Sequence, residues 1–135
     1  MKKQKNKGSD SVVEFILTCS VEELASLGKQ KIAETLGLDP ARMSEAFEAD
    51  QRISVEQFII REKLHRSVFI LDEDCEISID DLAEKLGFRE TEQFAREFES
   101  YLLIPPQRYK EIIQQEQIKN SRTRAVGAQL EFQIQ

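Results

Sequence analysis

The chain has 135 residues, 40% of them hydrophobic, and a formal net charge of −6. That length can bury one hydrophobic core, and no stretch reaches the roughly 18 apolar residues that cross a bilayer. The lysine-rich start is not followed by the apolar segment of a secretion signal, and the two isolated cysteines provide no zinc site. Without a membrane span or a signal, we expect a cytoplasmic protein with no membrane partner. The single histidine, His65, has no nucleophile motif beside it, so we expect no enzyme activity. We also expect no cofactor.

Charge is spread unevenly along the chain. Residues 1–8 carry four lysines and no acid, whereas residues 9–118 hold 12 basic and 24 acidic side chains, a net charge of −12. A surface that binds nucleic-acid phosphates normally has the opposite balance. The charge therefore favours a basic partner over a nucleic acid.

The predicted elements begin with a basic flexible arm, residues 1–10. Helix-forming residues dominate the rest, with only three prolines and five glycines, which predicts an all-α fold. Ser11 with Glu14 and Ser20 with Glu23 have the spacing of capping boxes, so helices are predicted from about Ser11 and from about Val21.

Residues 11–53 are predicted to form a first helix-turn-helix unit. Gly37 can adopt the left-handed conformation that ends a helix, and the small Ala33 lies four residues before it, where two helices must pack closely. Asp39 can cap the next helix and Pro40 suits its first turn. The pattern indicates two helices that meet at a tight bend.

The same unit occurs twice. Residues 32–38 recur fifty residues later as residues 82–88, and two further blocks follow in nearly the same register. The repeat predicts a second helix-turn-helix unit over residues 73–118. Between the units, residues 54–72 are predicted to form one long amphipathic linker helix, which would hold them at a fixed spacing.

The tail, residues 119–135, changes character. Residues 119–127 are polar without a pattern, whereas residues 129–135 alternate polar and apolar side chains with the period of a strand. The tail has no partner strand in the chain, so three outcomes stay open: disorder, an edge strand added to another protein, or docking on the domain.

The second unit contains three motifs at specific spacing: a glycine-aromatic pair at the turn, Gly87-Phe88; a Phe-x-Arg-x-Phe helix, Phe94 with Arg96 and Phe98; and a closing Pro-x-x-Tyr-Lys, Pro106 with Tyr109 and Lys110. With these motifs the unit resembles the DNA-binding domain of AraC/XylS-type transcription regulators. The resemblance covers residues 29–113. It implies a homeodomain-like, AraC-type fold: all-α, with two helix-turn-helix subdomains joined by a long linker helix.

The resemblance also implies a function. Two recognition helices, about residues 39–48 and 90–100, would enter successive major grooves of double-stranded DNA and regulate transcription, with RNA polymerase or another regulator as a possible protein partner and no evident small-molecule site. The base-facing positions would be Ala41, Ser44, Glu45, Thr91, Glu92, Gln93 and Arg96, and Arg42 would be a further DNA-binding residue. The phosphate-contacting positions would be Lys63, Arg66, Arg108 and Lys110.

The chain departs from the family pattern mainly in its charges. Glu45, Glu48 and Glu99 occupy positions where the family commonly has arginine or lysine. Leu103 occupies a position where the family has glycine. An alternative is therefore a protein-protein interaction module, whose acidic surface acts as a DNA mimic or anti-regulator toward a basic regulator. For Arg96, two interpretations stay open: a contact with guanine, or an ion pair with Glu92 or Glu99.

Overall fold

The protein is all-helical in the part of the chain that its structure, a computed structural model, describes: the backbone of residues 7–134 and the side chains of residues 8–121. The helices are α1 Lys7–Thr18, α2 Val21–Ala25, α3 Lys29–Leu36, α4 Pro40–Gln51, α5 Val55–Glu73, α6 Ile79–Lys85, α7 Thr91–Leu102 and α8 Pro106–Ile134. The described backbone contains no strand, so the predicted fold class is confirmed. None of the described helices is long and apolar enough to span a membrane.

One of the two predicted capping boxes is present. The Glu23 amide donates to Ser20 Oγ at 3.1 Å, and the Ser20 amide donates to the Glu23 carboxylate at 2.8 Å. These hydrogen bonds lower the pKa of Glu23. The prediction for Ser11 is wrong: α1 begins at Lys7, and Ser9 within this helix is buried and accepts a hydrogen bond from Gln51 of α4. Residues 7–10 therefore belong to α1 rather than to an arm, and residues 1–6 lie outside the described residues.

The first helix-turn-helix has the predicted turn. Gly37 adopts a left-handed conformation with φ of +68°, and the Leu38 amide donates to the Ala33 carbonyl at 2.8 Å to close α3. The Asp39 carboxylate then accepts from the Arg42 amide at 3.0 Å, and Pro40 begins α4. The predicted alternation of helix, turn and helix is confirmed.

The linker is one continuous helix, as predicted. Ser54 caps α5 by accepting from the Gln57 amide at 3.0 Å, and the helix runs to Glu73 without interruption. Its side chains enter two separate hydrophobic cores. Val55 and Ile59 belong to the first core, and Leu64 and Leu71 belong to the second. We call α1–α4 the first unit and α6–α8 the second unit; the domain boundaries drawn from the sequence stay predictions.

Aromatic rings build the second core. Phe88, Phe94, Phe98 and Tyr109 follow one another with ring centroids 5.3, 5.7 and 6.1 Å apart. Phe94 and Phe98 are fully buried. In the first core, Phe58 packs its edge against Phe47 at 5.4 Å, although Phe58 itself is only half-buried.

The tail continues α8 and is not a strand. The backbone of residues 129–134 is helical, so the strand suggested by the alternating pattern is not formed within the described chain. Residues 106–121 contain no glycine or proline after the first position, and a helix already nucleated there extends at little cost. The side chains beyond Ser121, and residue 135 altogether, lie outside the described part. Docking of the tail therefore stays a prediction.

Gly87 brings the two units into contact. Its φ of +84° closes α6 as Gly37 closes α3, but a Cβ atom on Gly87 would lie 2.0 Å from the Ala25 carbonyl oxygen of α2. A Cβ on Gly37 would meet no atom within 4 Å. The turn of the second unit thus packs directly on the backbone of the first, and only glycine permits that approach.

Gly87→Ala should destabilise the protein more than Gly37→Ala does. Both changes force alanine into the left-handed region, at about 1–2 kcal/mol. Gly87→Ala also inserts an atom into occupied space, which adds about 1–3 kcal/mol. Urea unfolding of the two variants measures the difference, and equal losses would show that the Gly87–Ala25 contact does not hold the units together.

Tyr109 makes the stability of the protein fall at high pH. Burial and the hydrogen bond from its hydroxyl to Asp72, at 2.8 Å, raise the pKa of Tyr109 to about 12. The unfolded chain releases this proton at about pH 10, so the stabilisation is complete below pH 10 and is lost as the pH rises toward 12. The free energy of unfolding, measured by urea between those values, should therefore fall more steeply for the natural protein than for Tyr109→Phe. Parallel curves for the two proteins would contradict this role.

Candidate nucleic-acid interface

The outward face of α4 carries three of the four predicted DNA-binding residues of this helix. Met43 and Phe47 point into the first core, and the helix repeat then turns Ala41, Arg42 and Glu45 to the exposed side. This face is accessible along the helix, so its side chains can meet a groove without rearrangement.

Ser44 is placed differently. Its hydroxyl oxygen is buried, and within residues 8–121 it has no hydrogen-bond partner. The side chain therefore turns toward the protein rather than toward a ligand. Sequence spacing alone put Ser44 on the face of Arg42 and Glu45, whereas the structure separates them.

On α7, Arg96 lies on the side of the helix opposite the buried phenylalanine rings. Phe94 and Phe98 point inward, and Arg96, midway between them, is exposed together with Glu92. Among residues 8–121, no carboxylate forms an ion pair with Arg96. The ion pair with Glu92 or Glu99 is therefore not formed, and the guanidinium is available to a ligand.

The two other predicted positions on α7 are less accessible. The Thr91 hydroxyl donates to the Asp80 carboxylate of α6 at 2.7 Å, so it already has a partner. Gln93 is half-buried and lines a cleft of about 340 Å³ between the two units. We call this space the inter-unit cleft; residues 27–28, the side chains of α5 that face them and the turn of residues 87–89 form its walls.

The four predicted phosphate contacts differ in their surroundings. Arg108 is exposed, and its only described ion pair is a long one, with Nη1 3.7 Å from Glu111. Arg66 donates to the Glu62 carboxylate at 2.8 Å and to the Leu17 carbonyl at 3.0 Å. Its guanidinium therefore connects α5 to α1.

Lys110 acts within the protein, and Lys63 is buried beside the inter-unit cleft. Lys110 Nζ donates to the Ile77 carbonyl at 2.7 Å, which ties α8 to the segment before α6. Lys63 is only 9% exposed, and its ammonium lies 5.3 Å from the centre of the Phe88 ring. It faces the inter-unit cleft rather than an open surface. Of the four predicted cations, only Arg108 projects freely.

Sequence reasoning overlooked Arg89. This residue is exposed in the turn before α7, and it lines the inter-unit cleft together with Gln93 and Lys63. A signal was present, because Arg89 directly follows the Gly87-Phe88 pair that marks the turn. What the sequence lacks is any indication that this turn packs on α2.

The electrostatics of α4 are unfavourable for a general phosphate-binding surface. Glu45, Glu48 and Asp50 are all exposed on this helix, against Arg42 alone. The Asp39 carboxylate caps the helix and is partly neutralised by its N-terminus. The acidic residues noted in the sequence thus lie on the outward surface and not within ion pairs of the core. Among the described side chains, no group of three His, Cys, Asp or Glu residues could hold a metal ion.

Solved structures of a response regulator and of a transcriptional regulator share this arrangement of helices. The C-terminal domain of AraT, a response regulator from Geobacillus stearothermophilus, matches with a TM-score of 0.68 and 17% identity over 82% of this chain and 88% of that chain. A DNA-binding transcriptional dual regulator from Escherichia coli K-12 matches with a TM-score of 0.68 and 17% identity over 85% and 99%. The chain therefore has the tandem helix-turn-helix fold, and the AraC-type resemblance is confirmed at the level of the fold.

One curated relative matches by sequence. It is the Msm operon regulatory protein of Streptococcus mutans, 26% identical over 90 residues, which are 67% of this chain. The match spans 32% of the length of that relative. No family model matches the chain.

Proposed function

We propose that this chain is a sequence-specific DNA-binding transcription regulator that presents α4 and α7 to successive major grooves. The observation that carries the proposal is the exposed, unpaired Arg96 on α7, in a fold shared with a protein named as a DNA-binding regulator. The 19 residues of α5 span about 28 Å, a length suited to holding two helices near the groove repeat of about 34 Å. Duplex binding also requires the cytoplasmic location that the sequence predicts.

The exposed side chains divide into two roles. A guanidinium at Arg96 can donate two hydrogen bonds to guanine O6 and N7. Gln93 is half-buried in the wall of the inter-unit cleft, so it is less suited than Arg96 to pair with a base. Arg108, outside the recognition helices, is suited to a phosphate, because it is charged, exposed and only loosely paired. Arg42 is the only cation on the outward face of α4.

The acids on α4 shape the expected binding. Glu45 can accept a hydrogen bond from cytosine N4, and it repels a nearby phosphate. Such a helix gains affinity only at sites that offer the right bases. The protein should therefore bind unrelated duplex weakly and show a shallow dependence on salt, since few counterions are released. An additional protein such as RNA polymerase or another regulator is the partner that this role implies.

Arg96→Ala and Arg108→Ala should weaken DNA binding in different ways. Loss of a bidentate guanine contact costs about 1–3 kcal/mol of base discrimination. Arg96→Ala should therefore reduce affinity for a selected cognate duplex at least several-fold while affinity for random duplex changes little. Arg108→Ala should weaken binding to both duplexes equally. The slope of log affinity against log salt concentration should become shallower by about one, as expected for one lost phosphate contact. Fluorescence anisotropy at several salt concentrations separates the two effects.

Thermal unfolding of both variants provides the control, because two exposed side chains should leave stability nearly unchanged. If no duplex can be selected from a random pool, or if Arg96→Ala binds the cognate duplex as the natural protein does, the proposal fails. The acidic interaction module would then become the better account of this surface.

Neutralising the acids of α4 should raise nonspecific affinity. In Glu45→Gln/Glu48→Gln, two charges that face phosphates are removed without a change in shape. Affinity for random duplex at low salt should rise several-fold, with a difference that shrinks as salt screens the charges. Glu73→Gln/Glu84→Gln, which removes two exposed charges at the end of α5 and on α6, is the matched control and should have little effect. An equal rise in both proteins would show that only net charge matters and that α4 does not face the DNA.

A further inference from the structure

The inter-unit cleft has an unusual cation in its wall. Lys63 comes from the middle of α5 and is buried except for 9% of its surface, yet it lines a cleft of about 340 Å³ that opens to solvent. A buried charge is costly unless it is paired. Burial also lowers the pKa of the Lys63 ammonium.

Within the described side chains, Lys63 has no anionic partner. Its recorded contact is the Phe88 ring at 5.3 Å, and a cation over an aromatic face recovers only part of the lost hydration. The ammonium has three hydrogen-bond donors, and no carboxylate of residues 8–121 pairs with them. Glu56 is the acid in the cleft wall, but it lies 3.6 Å from Lys29 Nζ and is paired there.

Two helices that begin at the cleft lack side-chain caps. The starts of α2, α4, α5 and α6 are each capped by a serine or aspartate. No side chain caps α3, which follows Gly28, or α7, which follows Glu90. Gly28, which directly precedes α3, lines the cleft, and so does Gln93 in the first turn of α7. Uncapped amides with the positive end of a helix dipole are suited to an anion.

We propose that the inter-unit cleft binds a phosphate group, with Lys63 and Arg89 as its charged donors and the uncapped starts of α3 and α7 beside it. Gln93 belongs both to the cleft wall and to the predicted DNA face of α7. The source that the observations favour is therefore a phosphate of the DNA strand that passes between the two grooves. That source depends on the proposed function, whereas binding of a free phosphorylated ligand would not.

Binding at this position would join the two units. The donors come from the first unit at residue 28, from α5 at Lys63 and from the second unit at Arg89. A phosphate held by all three would oppose any rotation of one unit against the other. Ligand binding should accordingly raise the midpoint of thermal unfolding, because a ligand that binds only the folded state stabilises it.

The first experiment uses the full chain and inorganic phosphate. Amide chemical shifts of ¹⁵N-labelled protein are followed during titration with sodium phosphate and, at equal ionic strength, with sodium chloride. The amides of Gly28, Gly87 and Arg89 should move with phosphate and not with chloride. Lys63→Met, which keeps the apolar stem, should weaken phosphate binding at least about tenfold, the expected loss for one charge-assisted hydrogen bond.

Two further variants keep the test decisive. Arg89→Gln changes an exposed residue at the rim, so it should fold normally and weaken phosphate binding even if Lys63→Met is unstable. Lys85→Met removes an exposed lysine of α6 that does not line the cleft, and it should bind phosphate as the natural protein does. A loss of binding in Lys85→Met equal to that in Lys63→Met would overturn the proposal.

The second experiment identifies the source of the phosphate with random-sequence duplex at low salt. A duplex affinity that falls in Lys63→Met and Arg89→Gln but not in Lys85→Met assigns the cleft to the DNA strand. Phosphate binding that depends on Lys63, with duplex affinity unchanged or absent, assigns it to a free phosphorylated ligand, even if the proposed function fails. If neither phosphate nor duplex responds to the cleft variants, the cleft is not an anion site.

Discussion

One helix, α5, is buried in both hydrophobic cores, and the rest of the structure depends on this constraint. Val55 and Ile59 lie in the first core, and Leu64 and Leu71 lie in the second, on one uninterrupted helix. Because a helix is stiff over this length, neither core can move without carrying the other. The Gly87 turn packs against Ala25, and Val21 of α2 packs against the second core, so the two units also touch each other directly.

Two of the described cations, Arg66 and Lys110, hold helices of the fold together. Arg66 ties α5 to α1 and Lys110 ties α8 to the segment before α6. Both fix relative positions of helices that would present a ligand surface. Among the described side chains, Arg89, Arg96 and Arg108 are exposed cations on or next to α7 and α8, and Arg42 is one on α4. The proposed DNA binding would therefore depend on a small number of positioned contacts rather than on a general electrostatic field.

The turns of the two repeat copies have different surroundings. Gly37 is required only for its left-handed conformation, since the space around it is open. Gly87 is required for that conformation and for a close approach to the neighbouring backbone. The same motif thus forms a simple bend in one unit and a contact between units in the other. Gly87 also lines the inter-unit cleft.

Much of the fold was predictable from the sequence because it depends on neighbours along the chain. The turn glycines, the caps at Ser20 and Asp39 and the continuous linker are all set by spacings of a few residues. The outward position of Arg96 follows in the same way from the inward Phe94 and Phe98. Local patterns also failed in places. The Ser11 spacing does not mark the start of a helix, since α1 begins at Lys7, and the alternating tail does not make a strand, since the described backbone contains no partner strand.

The tertiary structure alone decided which polar groups remain available to a ligand. The Arg66 guanidinium meets a carbonyl 49 residues away, and the Lys110 ammonium meets one 33 residues away. The buried setting of Lys63 likewise depends on the second unit closing over α5 beside Phe88. No sequence spacing encodes these contacts, because they arise only when distant helices pack together. The sequence therefore determined the helices and their turns, and packing determined which of their charges face a partner.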